Sequence, residues 1–112
     1  MNKKLNILWT NADIITFDKM VYMYSKNSLL EKWWDDVVII IWGSTAQLVG
    51  SSEEVQGKIK ELIQVGVKIS ACKACADQLG MTAELEKLGI EVKYWGEPLT
   101  AILQNGEKLL TI

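Results

Sequence analysis

The stretch DVVIIIW, residues Asp36 to Trp42, decides the fold, because its residues are apolar one after another and mostly β-branched. A strand with one solvated face alternates apolar and polar residues. A central strand of a parallel sheet is covered on both faces and is therefore apolar throughout. The stretch 36–42 predicts such a central strand, with helices packed on both sides of it.

Four other stretches on either side of this strand are typical of strands: 4–10 (KLNILWT), 67–71 (VKISA), 90–95 (IEVKYW) and 108–112 (KLLTI). Helical patterns lie between them: 14–33, a short turn after 45, 51–66, 72–79, 82–89 and 98–106. Strands that alternate with helices through short connections predict a parallel sheet between helices. We expect one α/β domain over residues 1–112, with a five-stranded sheet.

Several polar residues and one proline mark expected helix starts. Asn11 and Asp13 are candidate caps before the first apolar helical repeat, and Ser51 with Glu54 forms a capping-box pattern. Thr82 is expected to cap a later helix, and Pro98 to open the last one, because proline is favoured in the first turn.

Composition excludes several classes of protein. The chain has 112 residues, of which 49% are apolar and 23% charged, which is typical of a globular domain. Its net charge of −2 gives no electrostatic basis for a nucleic-acid or anionic-membrane partner. The longest apolar run, 37–42, is too short to span a bilayer, and no apolar stretch follows the first lysines as in a signal peptide. We expect a cytoplasmic protein.

Histidine and arginine are absent, and all 12 basic residues are lysines. The chain alone therefore lacks a Ser-His-Asp or Cys-His pair and a guanidinium clamp for phosphate. A structural zinc site needs four ligands, and a single CxxC motif supplies two of them. No metal and no cofactor are expected.

The chemistry is expected at Cys72 and Cys75, because Cys72 follows a strand and opens a helix. Backbone N–H groups and the helix dipole at that position favour the thiolate, which is the reactive form, and Lys73 adds a positive charge. Cys75 lies one turn later on the same helix face and is expected to be the more covered thiol, because alanines surround it. The alternative is that both cysteines are small packing residues beneath the sheet.

The carboxyl ends of parallel strands meet at one edge of a sheet, where ligands bind in open α/β folds. Residues 43–45 (GST) form a tight turn with a helix cap, or alternatively cradle a phosphate, although they lack the usual glycine spacing. The residues expected around the cysteines at this edge are Thr10, Asn11, Gly43, Ser44, Thr45, Lys73, Trp95 and Gly96.

Five tryptophans are many for so short a chain. Trp33 and Trp34 are adjacent, so both cannot face the core from one helix, and large aromatic and methionine side chains at positions 20 and 22–24 lie nearby. Exposed apolar patches of this kind mark interfaces, which predicts self-association.

The stretch 67–80 (VKISACKACADQLG), followed by 88–96 (LGIEVKYWG) and Pro98, resembles the DsrE/DsrF-like family of small sulfur-relay proteins. The order of strands and helices matches over residues 5–112. The resemblance implies a three-layer α/β/α sandwich with a five-stranded parallel sheet, and oligomers that are often trimers or hexamers. In that family the cysteine that ends the third strand carries sulfur as a persulfide, which places the role on Cys72.

The resemblance thus favours a sulfur carrier or sulfurtransferase-like protein, with a sulfur donor and a sulfur acceptor as partners. Cys75 is outside the general family pattern, so it either resolves a persulfide, forms a disulfide or packs. Two other hypotheses remain open: a non-catalytic module that binds a small anion or nucleotide, and a CxxC dithiol redox sensor.

Overall fold

The computed structural model describes residues 2–112, and its centre is a five-stranded sheet in the order β4-β3-β2-β1-β5. All four strand pairs are parallel. The strands are β1 (Lys4–Trp9), β2 (Asp36–Ile41), β3 (Lys68–Cys72), β4 (Glu91–Lys93) and β5 (Leu109–Thr111). The five predicted strands and their parallel arrangement are confirmed, and the last two are shorter than predicted.

Helices connect every pair of consecutive strands. They are α1 (Ile14–Thr16), a π-helical segment (Phe17–Tyr22), α2 (Met23–Leu30), α3 (Ser44–Ser51), α4 (Glu53–Val65), α5 (Lys73–Gln78), α6 (Thr82–Lys87) and α7 (Gly96–Gln104). In the part of the chain that the structure describes, no helix combines the length and the apolar character that crossing a membrane requires.

The sheet is covered unequally on its two faces. One face, with Ile7, Ile39 and Ala71, joins a large buried cluster to which the helical segments from Phe17 to Leu85 contribute. The other face carries a smaller cluster, where Ile102 of α7 meets Val38, Ile40, Cys72 and Trp95. The predicted α/β fold with helices on both faces is therefore confirmed, and α7 is the helix in the smaller cluster.

β2 is the most deeply buried strand, because residues 37–41 are all buried and four of them have 0% exposure. β1 and β3 flank it. Its continuous apolar sequence is thus explained by cover from neighbours on both faces and both edges.

Two of the expected helix caps are wrong. Asp13 accepts the Thr16 N–H as predicted. However, Ser52, not Ser51, accepts an N–H of the first turn of α4, from Val55. Ser51 is the last residue of α3, and its hydroxyl donates to a backbone carbonyl of its own helix. The adjacent serines lie at the break between α3 and α4, and the sequence pattern alone did not show which of them caps α4.

The expected cap at Thr82 is also wrong. Met81 precedes α6, and the Thr82 hydroxyl instead donates to the Asp77 carboxylate at the end of α5. Pro98 lies in the first turn of α7 as expected, although the helix begins at Gly96.

The aromatic residues within and around α2 are mostly packed against other side chains. The Trp34 indole donates to the Tyr24 hydroxyl at 3.1 Å, and Tyr22 donates to Glu61 at 3.1 Å, so both tyrosines are partly buried. Trp33 is 52% exposed and Met23 44% exposed. One tryptophan of the adjacent pair therefore faces solvent, but the exposed patch is smaller than the sequence suggested.

The two neighbouring serines provide a matched test of the α4 cap. Ser52→Ala should lower the free energy of unfolding by about 1 kcal/mol, because it removes the side chain that accepts an otherwise free helical N–H. Ser51→Ala should change it by less than about 0.5 kcal/mol, since Ser51 is exposed at a helix end. Urea unfolding measures both; an equal or larger loss in Ser51→Ala would contradict the assignment.

Candidate functional site

The strand ends lie side by side as the parallel sheet requires. Trp9 pairs with Ile41, Ile41 pairs with Ala71, and Cys72 pairs with Lys93. The connections that leave these ends therefore start at one edge of the sheet. Cys72 and the residues after β1 and β2 are brought to the same region, as predicted.

Cys72 is the last residue of β3 and the residue immediately before α5. It is 5% exposed and packs with Ile40, Trp95 and Ile102 on the less covered face of the sheet. α5 has only six residues, so its dipole is small, and the Cys72 side chain makes no capping hydrogen bond. Packing more than hydrogen bonding holds the Cys72 thiol.

Cys75 is the sulfur that receives a backbone hydrogen bond. The Gly43 N–H donates to the Cys75 Sγ with an N–S distance of 3.2 Å. Gly43 has φ 72° and ψ −134°, a combination that residues with a Cβ adopt only with strain. The glycine after β2 therefore allows the turn that points this N–H at Cys75.

The two thiols differ in exposure in the opposite way to the sequence prediction. Cys72 is buried and Cys75 is intermediate, in contact with both hydrophobic clusters. The expectation that Cys75 is the more covered thiol is wrong, because Ala76, not Cys75, points into the core of this helix.

Partial burial raises the pKa of the Cys75 thiol above its ordinary value. The Gly43 N–H lowers this pKa by stabilising the thiolate, and the neighbouring Cys72 thiol raises it. Cys75 also packs against the buried cluster that contains Cys72, and the net rise in its pKa favours the protonated thiol at neutral pH.

The Lys73 ammonium interacts with the Asp77 carboxylate and the Tyr94 ring. Its ammonium pairs with the Asp77 carboxylate at 2.9 Å and lies 5.9 Å from the centre of the Tyr94 ring. The hydrogen bond to Asp77 raises the pKa of Lys73. The positive charge expected to support a thiolate is thus offset by a carboxylate on the same helix.

The hydroxyls expected around the cysteines connect the strand ends to one another. Thr45 is buried and donates to the Trp9 carbonyl at 2.8 Å, and Ser44 donates to the Thr10 carbonyl at 3.3 Å. Thr10 in turn donates to the Ile112 carbonyl at 3.1 Å. These residues join the ends of β1, β2 and β5, while Asn11 accepts the Asp13 N–H.

Trp95 lies closer to the cysteines, since it belongs to the same buried cluster as Cys72 and is 6% exposed. Its indole N–H donates to the Ser70 hydroxyl at 2.8 Å. Gly96 is the first residue of α7, where its carbonyl accepts the Thr100 hydroxyl. Ser70 was not among the predicted site residues. Its position two residues before Cys72, which puts both side chains on the same face of β3, was the signal in the sequence that could have identified it.

Comparison with known proteins agrees with this architecture. The model of the DsrE/DsrF-like family matches residues 15–112. A conserved protein of unknown function from Bacteroides thetaiotaomicron is 43% identical, with 98% of this chain and 95% of that one covered, and a TM-score of 0.96. No match was found among curated proteins.

Two more distant structures share the fold. The ychN protein from E. coli is 15% identical over the full length of both chains, with a TM-score of 0.64. A protein of unknown function from Methanobacterium thermoautotrophicum is 19% identical, with 99% of this chain and 100% of that one covered, and a TM-score of 0.70. The family match over most of the sequence, together with the shared fold, shows that the chain belongs to the DsrE/DsrF-like family.

Proposed function

We propose that this protein is a sulfur carrier that holds sulfane sulfur as a persulfide on Cys72. The observation that supports the proposal is a pair of free thiols at the carboxyl end of a central strand, with a backbone N–H directed at one of them. The DsrE/DsrF-like family, to which the chain belongs, is associated with sulfur relay. We place the protein in the cytoplasm.

Sulfur would be accepted by attack of the Cys72 thiolate on the outer sulfur of a donor persulfide. The donor S–S bond breaks, the donor leaves as a thiolate, and Cys72 becomes Cys72–S–SH. An acceptor protein with its own thiolate would then take the terminal sulfur in the same way. The two partners are a sulfur donor and a sulfur acceptor, and no cofactor is required because sulfur exchange uses only thiolates.

Cys75 is assigned the release of sulfur in the absence of an acceptor. Its thiolate attacks the inner sulfur of the Cys72 persulfide, a Cys72–Cys75 disulfide forms, and HS⁻ leaves. A dithiol reductant then restores both thiols. Cys72 precedes α5, and Cys75, three residues later, packs against the cluster that contains Cys72, which supports this step.

Mass spectrometry after incubation with glutathione persulfide tests both roles. Cys75→Ser should gain the mass of one sulfur atom and keep it, because its carrier thiol is intact and the releasing thiol is gone. Cys72→Ser should gain none. The wild type should pass through the persulfide to an internal disulfide, with sulfide detected in solution.

Persistent sulfur on Cys72→Ser, with none on Cys75→Ser, would transfer the carrier role to Cys75. Reaction of neither cysteine in the folded protein would instead favour the non-catalytic binding or assembly module. Unfolded protein in denaturant is the control, since both thiols should then react.

The raised pKa of Cys75 gives a pH prediction. In Cys72→Ser, alkylation of Cys75 by iodoacetamide should rise about tenfold per pH unit from about pH 7 to pH 8.5, because only the thiolate reacts and its fraction grows in proportion below the pKa. The sign follows from burial, which favours the protonated form. A rate that levels off below about pH 8 would show a lowered pKa instead. Free glutathione serves as the reference thiol.

A dithiol redox sensor is the second candidate function, and the proximity of the two free thiols favours it. The sensor would form the internal disulfide with an oxidant and without any sulfur donor. Disulfide formation by the wild type in diamide, with no sulfur gained by Cys75→Ser from glutathione persulfide, would select the sensor over the carrier.

We also propose that the protein forms a homo-oligomer, a trimer or a hexamer, through the exposed apolar side chains of α1, α2 and the following turn. Among these, Ile15 is 69%, Leu30 57% and Trp33 52% exposed. Side chains of this size on one helical layer are better covered in an assembly.

Light scattering should therefore report a mass above that of the 12.6 kDa chain at micromolar concentration, and Trp33→Ser should weaken the assembly. Tyr94→Ser is the matched control, because Tyr94 is 66% exposed but lies after β4, away from α2 in the sequence. A monomeric wild type would contradict the proposal.

A further inference from the structure

A cavity of about 470 Å³ opens beside the sheet, near the start of β3 and β4. Five of its lining side chains are buried parts of the fold: Val38 at 8% exposure, Ile69 and Trp95 at 6%, Ser70 at 5% and Val67 at 3%. Val38 and Trp95 also belong to the smaller hydrophobic cluster. The cavity thus reaches the less covered face of the sheet and is of the size typical for small-molecule sites.

The cavity exists because the sheet is incomplete at this corner. β4 begins opposite Ser70, so the first two residues of β3, Lys68 and Ile69, pair only with β2. Gly89, just before β4, also lines the opening and carries no side chain to fill it. Ile63 and Val67 add apolar surface from the connection between α4 and β3.

The charges around the cavity are mainly positive, although the whole chain has a net charge of −2. Three lysines, Lys4, Lys68 and Lys93, line it with one carboxylate, Glu91. Lys93 pairs with Glu91 at 3.4 Å, and Lys68 lies 3.8 Å from Asp36, which is outside the lining. Within residues 2–112, Lys4 forms no ion pair, so an anion would gain uncompensated positive charge.

The apolar part of the lining has an aromatic wall. The Trp95 ring is fixed by its indole hydrogen bond to Ser70, and the Lys93 ammonium lies 4.7 Å from the ring centre. A cation above an indole joins positive charge to a flat apolar surface in one place. A ligand that has both an anionic group and an apolar body would interact with the positive charge and with the apolar indole surface.

We propose that this cavity binds a small organic acid with an aromatic or aliphatic body, whose carboxylate lies between Lys4 and Lys68 and whose body packs on Val38 and Trp95. The site uses neither cysteine thiol, so the proposal stands independently of the sulfur-carrier function.

The probe for the test is 4-phenylbutyrate, with the uncharged 4-phenylbutanol as its matched partner. Calorimetric titration of the wild type should show saturable binding of the acid at millimolar concentration or below, and binding of the alcohol at least about tenfold weaker, because charged hydrogen bonds are lost. The acid should change tryptophan fluorescence in the wild type and not in Trp95→Phe.

Lysine variants test which positive charges interact with the carboxylate of the ligand. Lys4→Gln and Lys68→Gln should each weaken binding of the acid about twofold to fivefold, as expected for partly exposed charges. Lys60→Gln is the control, because Lys60 is exposed on α4 and does not line the cavity.

Equal affinity for the acid and the alcohol, or unchanged affinity in both cavity variants, would overturn the proposal. The absence of binding by the wild type would also overturn it, and self-association that Lys68→Gln alters and Lys60→Gln does not would then show that a second copy of the chain covers this face.

Discussion

The structure depends on the in-register parallel pairing of β2 with β1 and β3. Because β2 is buried on both faces, each neighbour must present its own apolar residues at the same level, and the register Leu5–Val37 and Ile39–Ile69 satisfies this. Parallel alignment then brings the ends of all three strands to one edge. The turn at Gly43 and the thiol of Cys75 meet there although they are 32 residues apart in the chain.

Sequence patterns predicted the features that depend on burial. The five strands and the glycine end of α4 followed from apolar runs and from Gly66, which has φ 111°. The failures were at helix starts: Ser51 had an equally suitable neighbour in Ser52, and α6 begins after Met81 without a side-chain cap. A cap depends on where the chain turns, and tertiary packing decides that within one residue.

The site was predicted less completely for the same reason. The position of Cys72 at the end of β3 followed from local sequence, and its role as carrier stays a proposal. Its 5% exposure, in contrast, depends on Trp95 and Ile102, which no local pattern connects to it. The Gly43–Cys75 hydrogen bond is likewise a contact between distant segments. The glycine was recognised, but its partner could be found only in the folded chain.

In the proposed function, the two thiols have different tasks. A carrier persulfide benefits from cover, because a buried sulfur is protected from solvent thiols until a partner docks. A releasing thiol must be mobile enough to approach, and partial exposure allows it. The raised pKa of Cys75 adds a second restraint, since a mostly protonated thiol attacks slowly. In the proposed function, slow attack by Cys75 therefore favours delivery of the sulfur to an acceptor over internal release.

Trp95 connects this thiol chemistry to the rest of the less covered face. One part of its ring packs in the cluster that covers Cys72, and another part lines the lysine-rich cavity. Its indole is anchored to Ser70, which lies two residues before Cys72 on the same strand. Any displacement of this ring would therefore change the cover of Cys72. α7 contributes Ile102 to this cluster, so cover on this face depends on few side chains, and access to the Cys72 thiol depends on them.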